Sequence, residues 1–577
     1  MKPGQNVVRK TKSAAEIPAV FAWKRERRSP GGARLAAALV LLVCWITQLA
    51  CSTSYVAPTS LPQPVGLETG VVAGSQFTPT SPSTHVDLQP SQYTPEPTAT
   101  ETTVPTSTST PAAEPASTRL PNTSPTPRVS SSAQAPILYY TQAGDTLKAL
   151  AARFNVQPSE ITSPEPIPQE GLFNPGVLLL IPPRLGDTSP STQLIPDSEV
   201  VYSPSALDFD IEAFVKDMNG YLSTYREWRS SGWYDGPGVI QRVGIENSIN
   251  PRLLLVILER QSHWVYGQPQ NLAETDFPIG FVNLENEKKG LYFQLSWAVQ
   301  QLNIGYYGWR DGTVTELTFP DKSKLRLAPD LNAGTVSLLY LFSRLHNQQE
   351  WAGIMYGPEG IMAQYESMMG NPWTRAISVE PLFPATLTQP PLELPFMVNH
   401  TWAYTGGPHS AWGPDGARAA LDFAPSAVEH GCVLSQEWVT ASASGQVTRS
   451  ENGLVVVDLD GDGYEQTGWV IIYLHIATDG RIPVGTWVNL NDRIGHPSCE
   501  GGVANGTHVH MARKYNGEWI LADGPMPFVL SGWRAHANPQ DYIGTLTKDD
   551  QIVYSSTVGS YESRITRTEP TANKPAD

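Results

Sequence analysis

Residues 453–457, 469–475 and 507–514 are rich in β-branched, aromatic and other apolar residues, alternating with polar ones in 507–514, and turn residues separate them. They predict a β-rich, antiparallel-sheet domain over residues 386–546, with a groove at the strand ends. Residues 251–264 (PRLLLVILERQSHW) and 332–346 instead carry apolar residues at helical spacing, predicting a mainly α domain over residues 205–375. Further upstream, Leu147, Leu150, Ala151 and Phe154 recur on one helical face after a Gly144-Asp145-Thr146 turn and cap. Strands predicted at 139–141 and 177–181 flank that helix and close a small unit over residues 136–185. The last segment, 547–577, is expected to be a flexible tail.

A fourth apolar run, residues 35–49, follows a basic stretch at 24–34 and ends at Leu49-Ala50-Cys51-Ser52. That is the layout of a secretory signal over residues 1–51, and it is short for a membrane span, which needs about 20 apolar residues. Cys51 directly after Leu-Ala resembles a bacterial lipobox, although Gln48 stands where an aliphatic residue is usual. The resemblance implies a lipoprotein tethered to the membrane through Cys51; an uncleaved signal anchor and plain secretion are the alternatives. Residues 52–135 are more than half Ser, Thr and Pro, too poor in apolar surface to offset chain entropy, and are expected to be a disordered linker.

The chain has 577 residues, enough for roughly three or four domains, and 51 of them are proline. Its formal net charge of −16 argues against a nucleic-acid partner and fits a solvated extracellular protein.

Candidate chemistry is concentrated in the β-rich part. His409, Asp422, His475, His508 and His510 occur in TGGPHSAWGPDGARAALDFAP, YLHIAT and NGTHVHMARKYNG. An HxH on a strand puts both imidazoles on one face, so one can bind a metal while its neighbour acts on substrate. Taken together, GGPH at 406–409, an Asp thirteen residues on, YxH at 473–475 and HxH at 508–510 resemble the lysostaphin-type zinc endopeptidases, in the beta-lytic and staphylolysin branch. The other branch writes its first pair as HxxxD, and here the position four before Asp422 is Arg418. What the resemblance implies is one zinc ion held by His409, Asp422 and His510, with His508 as general base and His475 stabilising the transition state. Its substrate would be peptide bonds in peptidoglycan crosslinks. No GxSxG, HExxH or phosphate-loop motif competes with this set.

Residues 139–181 resemble a βααβ LysM module, which implies binding of N-acetylglucosamine-containing glycan. The 251–264 helix resembles the one that carries the catalytic acid in goose-type lysozymes, but Gln261-Ser262 occupies the Glu-Ser position, and glutamine cannot protonate a glycosidic oxygen. Glu259, two residues away, points about 200° around the axis. A lysozyme-like domain without its chemistry is expected there, or an unrelated helical spacer. Asp458, Asp460 and Asp462 copy the start of a calcium loop, but Trp469 stands where its closing acid belongs; a tight acidic hairpin is the simpler reading. Cys432 and Cys499 are candidates for one disulfide in an exported domain, with stabilisation of about 4 kcal/mol in the chain-entropy model. The expected protein is a cell-wall zinc endopeptidase; a non-catalytic envelope scaffold is the alternative.

Overall fold

The computed structural model describes residues 135–282, 288–426 and 431–569. The leader, Cys51 and the linker up to residue 134 lie outside these residues.

Strand Ile137–Tyr140 pairs antiparallel with Leu178–Ile181, and helix Leu147–Phe154 falls between them in sequence. Thr146 Oγ1 accepts the Ala149 N–H at 3.2 Å to start the helix, and Asn155, in the left-handed conformation, ends it. Leu147, Leu150, Ala151 and Phe154 are buried with Leu179 and Ile181, so that stripe is core. The second helix of the expected βααβ order is only a single 3-10 turn, Pro158–Glu160. Prolines 158, 164, 166 and 168 leave this stretch without the N–H groups an α-helix needs.

The helical region is built around Pro251–Ser262. Asn250 caps it by accepting the Arg252 N–H at 3.0 Å, Pro251 occupies the first turn, and every residue from Pro251 to Glu259 is buried. Helices Gly236–Asn247, Leu291–Asp311 and Ala333–Leu345 contribute to the same core. Glu259 Oε2 accepts the N–H groups of Val265 and Tyr266 at 2.9 and 3.0 Å, and Gln261 Nε2 donates to the Ile279 carbonyl at 2.8 Å. Both side chains are therefore engaged by backbone.

A nine-stranded sheet forms the C-terminal region. Its path runs Trp487–Val488, Gly445–Glu451, Leu454–Asp458, Trp469–Leu474, Val509–Tyr515, Ala420–Pro425, Thr401–His409 and Arg564–Thr566, with Glu518–Trp519 pairing onto Val509–Tyr515. Every pairing along it is antiparallel. Alternation sorts its residues between two cores. Val456, Ile472 and Ala512 pack with the helical region; Val455, Val457, Ile471, Tyr473 and Met511 pack on the opposite face. Burial on both faces explains why the central strands are nearly unbroken apolar runs. Between two of them, Asp458 Oδ2 accepts the Gly463 N–H at 2.8 Å and Asp462 Oδ1 that of Tyr464 at 2.9 Å, an acidic hairpin closed on its own amides.

The expectation of a flexible tail over 547–577 is corrected for residues 547–569, and residues 570–577 lie outside the described residues. Strand Gln551–Tyr554 pairs with Gly544–Lys548, and Arg564–Thr566 joins the main sheet beside Thr401–His409. Val553 and Ile565 are the buried anchors; one inward apolar residue per short strand leaves too little pattern to mark them. Cys432 and Cys499 are bridged, with Cα atoms 5.7 Å apart. Among the described residues no helix is long and apolar enough to cross a membrane.

The sheet and the helical region share a buried polar junction. Arg310 Nε lies 3.1 Å from Glu518 Oε1 and Arg310 Nη2 3.0 Å from Asp197 Oδ2. Tyr306 donates to Glu518 at 3.1 Å. Burial pushes the Glu518 carboxyl up to about 7, against the pull of Arg310 and with the nearby Asp197 adding to the rise. A raised acid keeps its proton in the folded chain after the unfolded chain has released it, so this group's contribution to stability should fall as pH rises from about 4.5 to about 7, by about 3 kcal/mol, and level off above. Thermal melts at pH 5 and pH 7.5 check this: Glu518→Gln should shrink the difference between the two, and an equal difference in both proteins would contradict it.

Candidate functional site

Three neighbouring strands bring His409, Asp422 and His510 together. His510 is paired in register with Asp422, and Asp422 lies opposite Gly406 on the other side. A Cβ at Gly406 would collide with the Asp422 carboxylate, so the first glycine of GGPH makes room for the acid. Register shifts after Tyr404 and Gly406 then re-aim the strand end that carries His409.

The three side chains are buried. His409 Nε2 stands 3.0 Å from His510 Nδ1, and Asp422 Oδ1 lies 3.3 and 3.2 Å from these two nitrogens. Each imidazole spends its other nitrogen on a carbonyl: His409 Nδ1 donates to Gly407 O at 2.8 Å and His510 Nε2 to Ala411 O at 3.0 Å. In their neutral forms the facing nitrogens therefore carry lone pairs, and Asp422 Oδ1 is then a buried oxygen without a hydrogen-bond partner. Two lone pairs and a carboxylate oxygen converging at this distance form a donor set that could hold a cation. Nitrogen and oxygen ligands about 2.0–2.1 Å from a tetrahedral metal sit about 3.3 Å apart, so this donor set fits a divalent ion. Burial raises the Asp422 carboxyl, but His409 and His510 beside it hold it well below the usual carboxylate range.

His475 and His508 border this trio. His475 follows strand Trp469–Leu474 with φ of +66°, and its ring centre is 4.4 Å from that of His508. Its Nδ1 donates to the Glu500 carbonyl at 2.9 Å, one residue from the Cys432–Cys499 bridge. His508 Nδ1 donates to Gly506 O at 2.7 Å, and its Nε2 lies 3.9 Å from Asp422 Oδ2. Both rings thus keep Nε2 as a proton acceptor. Burial, aided by His508 and His510, pushes His475 down to about 3.

Tyr542, which no motif marks, stacks on His409 with ring centres 4.1 Å apart and lines the same groove. Arg418, the departure from HxxxD, helps to place it. Its guanidinium donates to the carbonyls of Pro408, Asn538 and Gln540 at 2.8–3.0 Å and pairs with Asp541 at 2.7 Å. The open groove, of about 2420 Å³, holds the five sequence-selected residues and is walled on its far side by Ser231, Arg242, Glu246 and Tyr292 of the helical region.

Residues 193–383 match the family described as LasA, N-terminal domain. Protease LasA of Pseudomonas aeruginosa, from two strains, is 25% identical over 353 residues, 57% of this chain and 75% of that protein. Among solved structures, the M23 metalloprotease pseudoalterin from the deep sea is 22% identical with a TM-score of 0.24, covering 30% of this chain and 96% of that one. The catalytic domain of lysostaphin from Staphylococcus simulans is 21% identical with a TM-score of 0.16, covering 22% of this chain and 90% of that one. The chain is thus similar to a protease over more than half of its length.

Proposed function

We propose that this chain is a zinc-dependent endopeptidase that hydrolyses peptide bonds of peptidoglycan crosslinks. The observation that carries the reading is the convergence of His409 Nε2, His510 Nδ1 and the unpartnered Asp422 Oδ1, with two further histidines facing one open groove. Similarity to protease LasA supports peptidase chemistry, and peptidoglycan as substrate rests on the resemblance of the GGPH, YxH and HxH motifs. His409, Asp422 and His510 would hold the zinc, which when bound supplies a Lewis acid that polarises a carbonyl and acidifies water. His508, with Nε2 available, takes a proton from the attacking water and returns it to the leaving amine. His475, its Nδ1–H committed to Glu500 and its neutral Nε2 facing the groove, would stabilise the transition state by accepting a hydrogen bond at the reacting centre. Residues 136–185 would bind glycan, and a lipid on Cys51 would keep the enzyme at the cell envelope.

The test is peptide release from purified crosslinked peptidoglycan by the full chain, with and without a chelator. Release should fall to background on chelation and return with added zinc. Release that survives complete removal of metal, or none from any wall type by zinc-loaded protein, would overturn the reading.

A further inference from the structure

A hairpin of the helical region presents two tryptophans that the fold does not use. Strands Arg226–Arg229 and Gly232–Asp235 pair antiparallel, with Trp228 directly opposite Trp233. Alternation divides the hairpin into two faces. On the inner one, Glu227 accepts the Tyr225 hydroxyl at 2.8 Å, and the Tyr234 and Ser231 hydroxyls meet 2.9 Å apart. Arg242 of the groove wall donates to Ser231 at 3.0 Å and also bonds Tyr234, while Arg229 stacks on Phe293 at 4.0 Å. The hairpin is therefore fixed to the body. On the outer face Trp228 and Trp233 are 60% and 69% exposed, with ring centres 5.7 Å apart and planes at 70°.

Indole surface left in water forfeits hydrophobic stabilisation, and a paired patch on a rigid element marks a binding surface. The hairpin reaches the groove at its turn, where Ser230 and Ser231 line the same cavity as His409 and His508, and the two indoles stand on its strands just outside that lining. The patch's composition narrows the occupant. Arg226 and Asp235, paired across the hairpin and exposed, stand beside the indoles on the same strand face; Asp235 Oδ1 accepts the Gly238 N–H at 2.9 Å, so the aromatic planes are bordered by a hydrogen-bonding cation and the second carboxylate oxygen. That combination suits a ligand whose rings are apolar on their faces and hydroxylated at their edges. The chain's net charge of −16 disfavours nucleic acid, the other ligand that stacks on aromatics.

We propose that the Trp228–Trp233 face is a saccharide platform that holds the glycan strand of the substrate while the peptide attached to it lies in the groove. This rests on the proposed peptidase reading for the covalent link between glycan and peptide, but binding at the platform needs no catalysis.

The test uses the full chain labelled with 5-fluorotryptophan, the Trp228 and Trp233 fluorine resonances being assigned from Trp228→Tyr and Trp233→Tyr. Peptide-free glycan strands are then titrated in. Those two resonances should shift or broaden, whatever residues 136–185 bind. In parallel, KM for intact peptidoglycan should rise about tenfold in Trp228→Ala/Trp233→Ala and recover in the double Tyr variant. Resonances that stay in place at saturating glycan would overturn the platform, even if peptides are released. Resonances that move while zinc-loaded protein releases nothing would support the platform and sink the peptidase reading.

Discussion

A His508→Ala variant should retain its zinc and lose peptide release by about 10²- to 10⁴-fold, the usual contribution of a positioned general base. The structure separates the two properties. His508 Nε2 is 3.9 Å from Asp422 Oδ2, whereas the three converging donor atoms come from His409, Asp422 and His510. Among the described residues the imidazole is hydrogen-bonded through Nδ1 to Gly506 O and packs on the His475 ring, so its removal leaves the facing nitrogens and their carbonyl partners in place. Metal content by atomic absorption and release rates on the same preparation check both halves. A variant within tenfold of wild type would remove His508 from the chemistry, and one that loses its metal would make it a structural support.

What a motif can record depends on how local the physical demand is. HxH is legible because a strand's period of two alone puts His508 and His510 on one face. GGPH is legible because Asp422 occupies the space that a Gly406 side chain would fill. Tyr542 carries no such mark, since its stacking on His409 depends on Arg418 holding residues 538–541 from another part of the fold. Short apolar runs bounded by turn residues located Leu454–Asp458 and Trp469–Leu474, yet their burial on both faces is set by helices far away in sequence. Strand Arg564–Thr566 is set by pairing with Thr401–His409, a long-range contact with only Ile565 to announce it.

Asp422→Ala should abolish metal retention and, with it, activity. Of the three donors Asp422 alone brings negative charge, and its Oδ1 lies within 3.3 Å of both facing imidazole nitrogens. Without it, two neutral nitrogens 3.0 Å apart remain in a buried pocket, a ligand set with one member too few and no charge to offset a divalent ion's lost hydration. Loss of a supporting partner of a ligand commonly costs 10- to 100-fold in metal affinity, and loss of a ligand should cost at least that. The clearest readout is independent of turnover. Metal binding to the folded state stabilises it by RT ln(1 + [L]/Kd), about 4 kcal/mol at a thousandfold excess over Kd, so added zinc should raise the melting temperature of the wild-type chain and leave that of Asp422→Ala where it is. Asp422→Asn keeps the shape beside Gly406 but removes the charge, and it should follow the alanine variant if charge is what holds the ion. An Asp422→Ala protein that still melts higher with zinc would place the metal elsewhere in the chain.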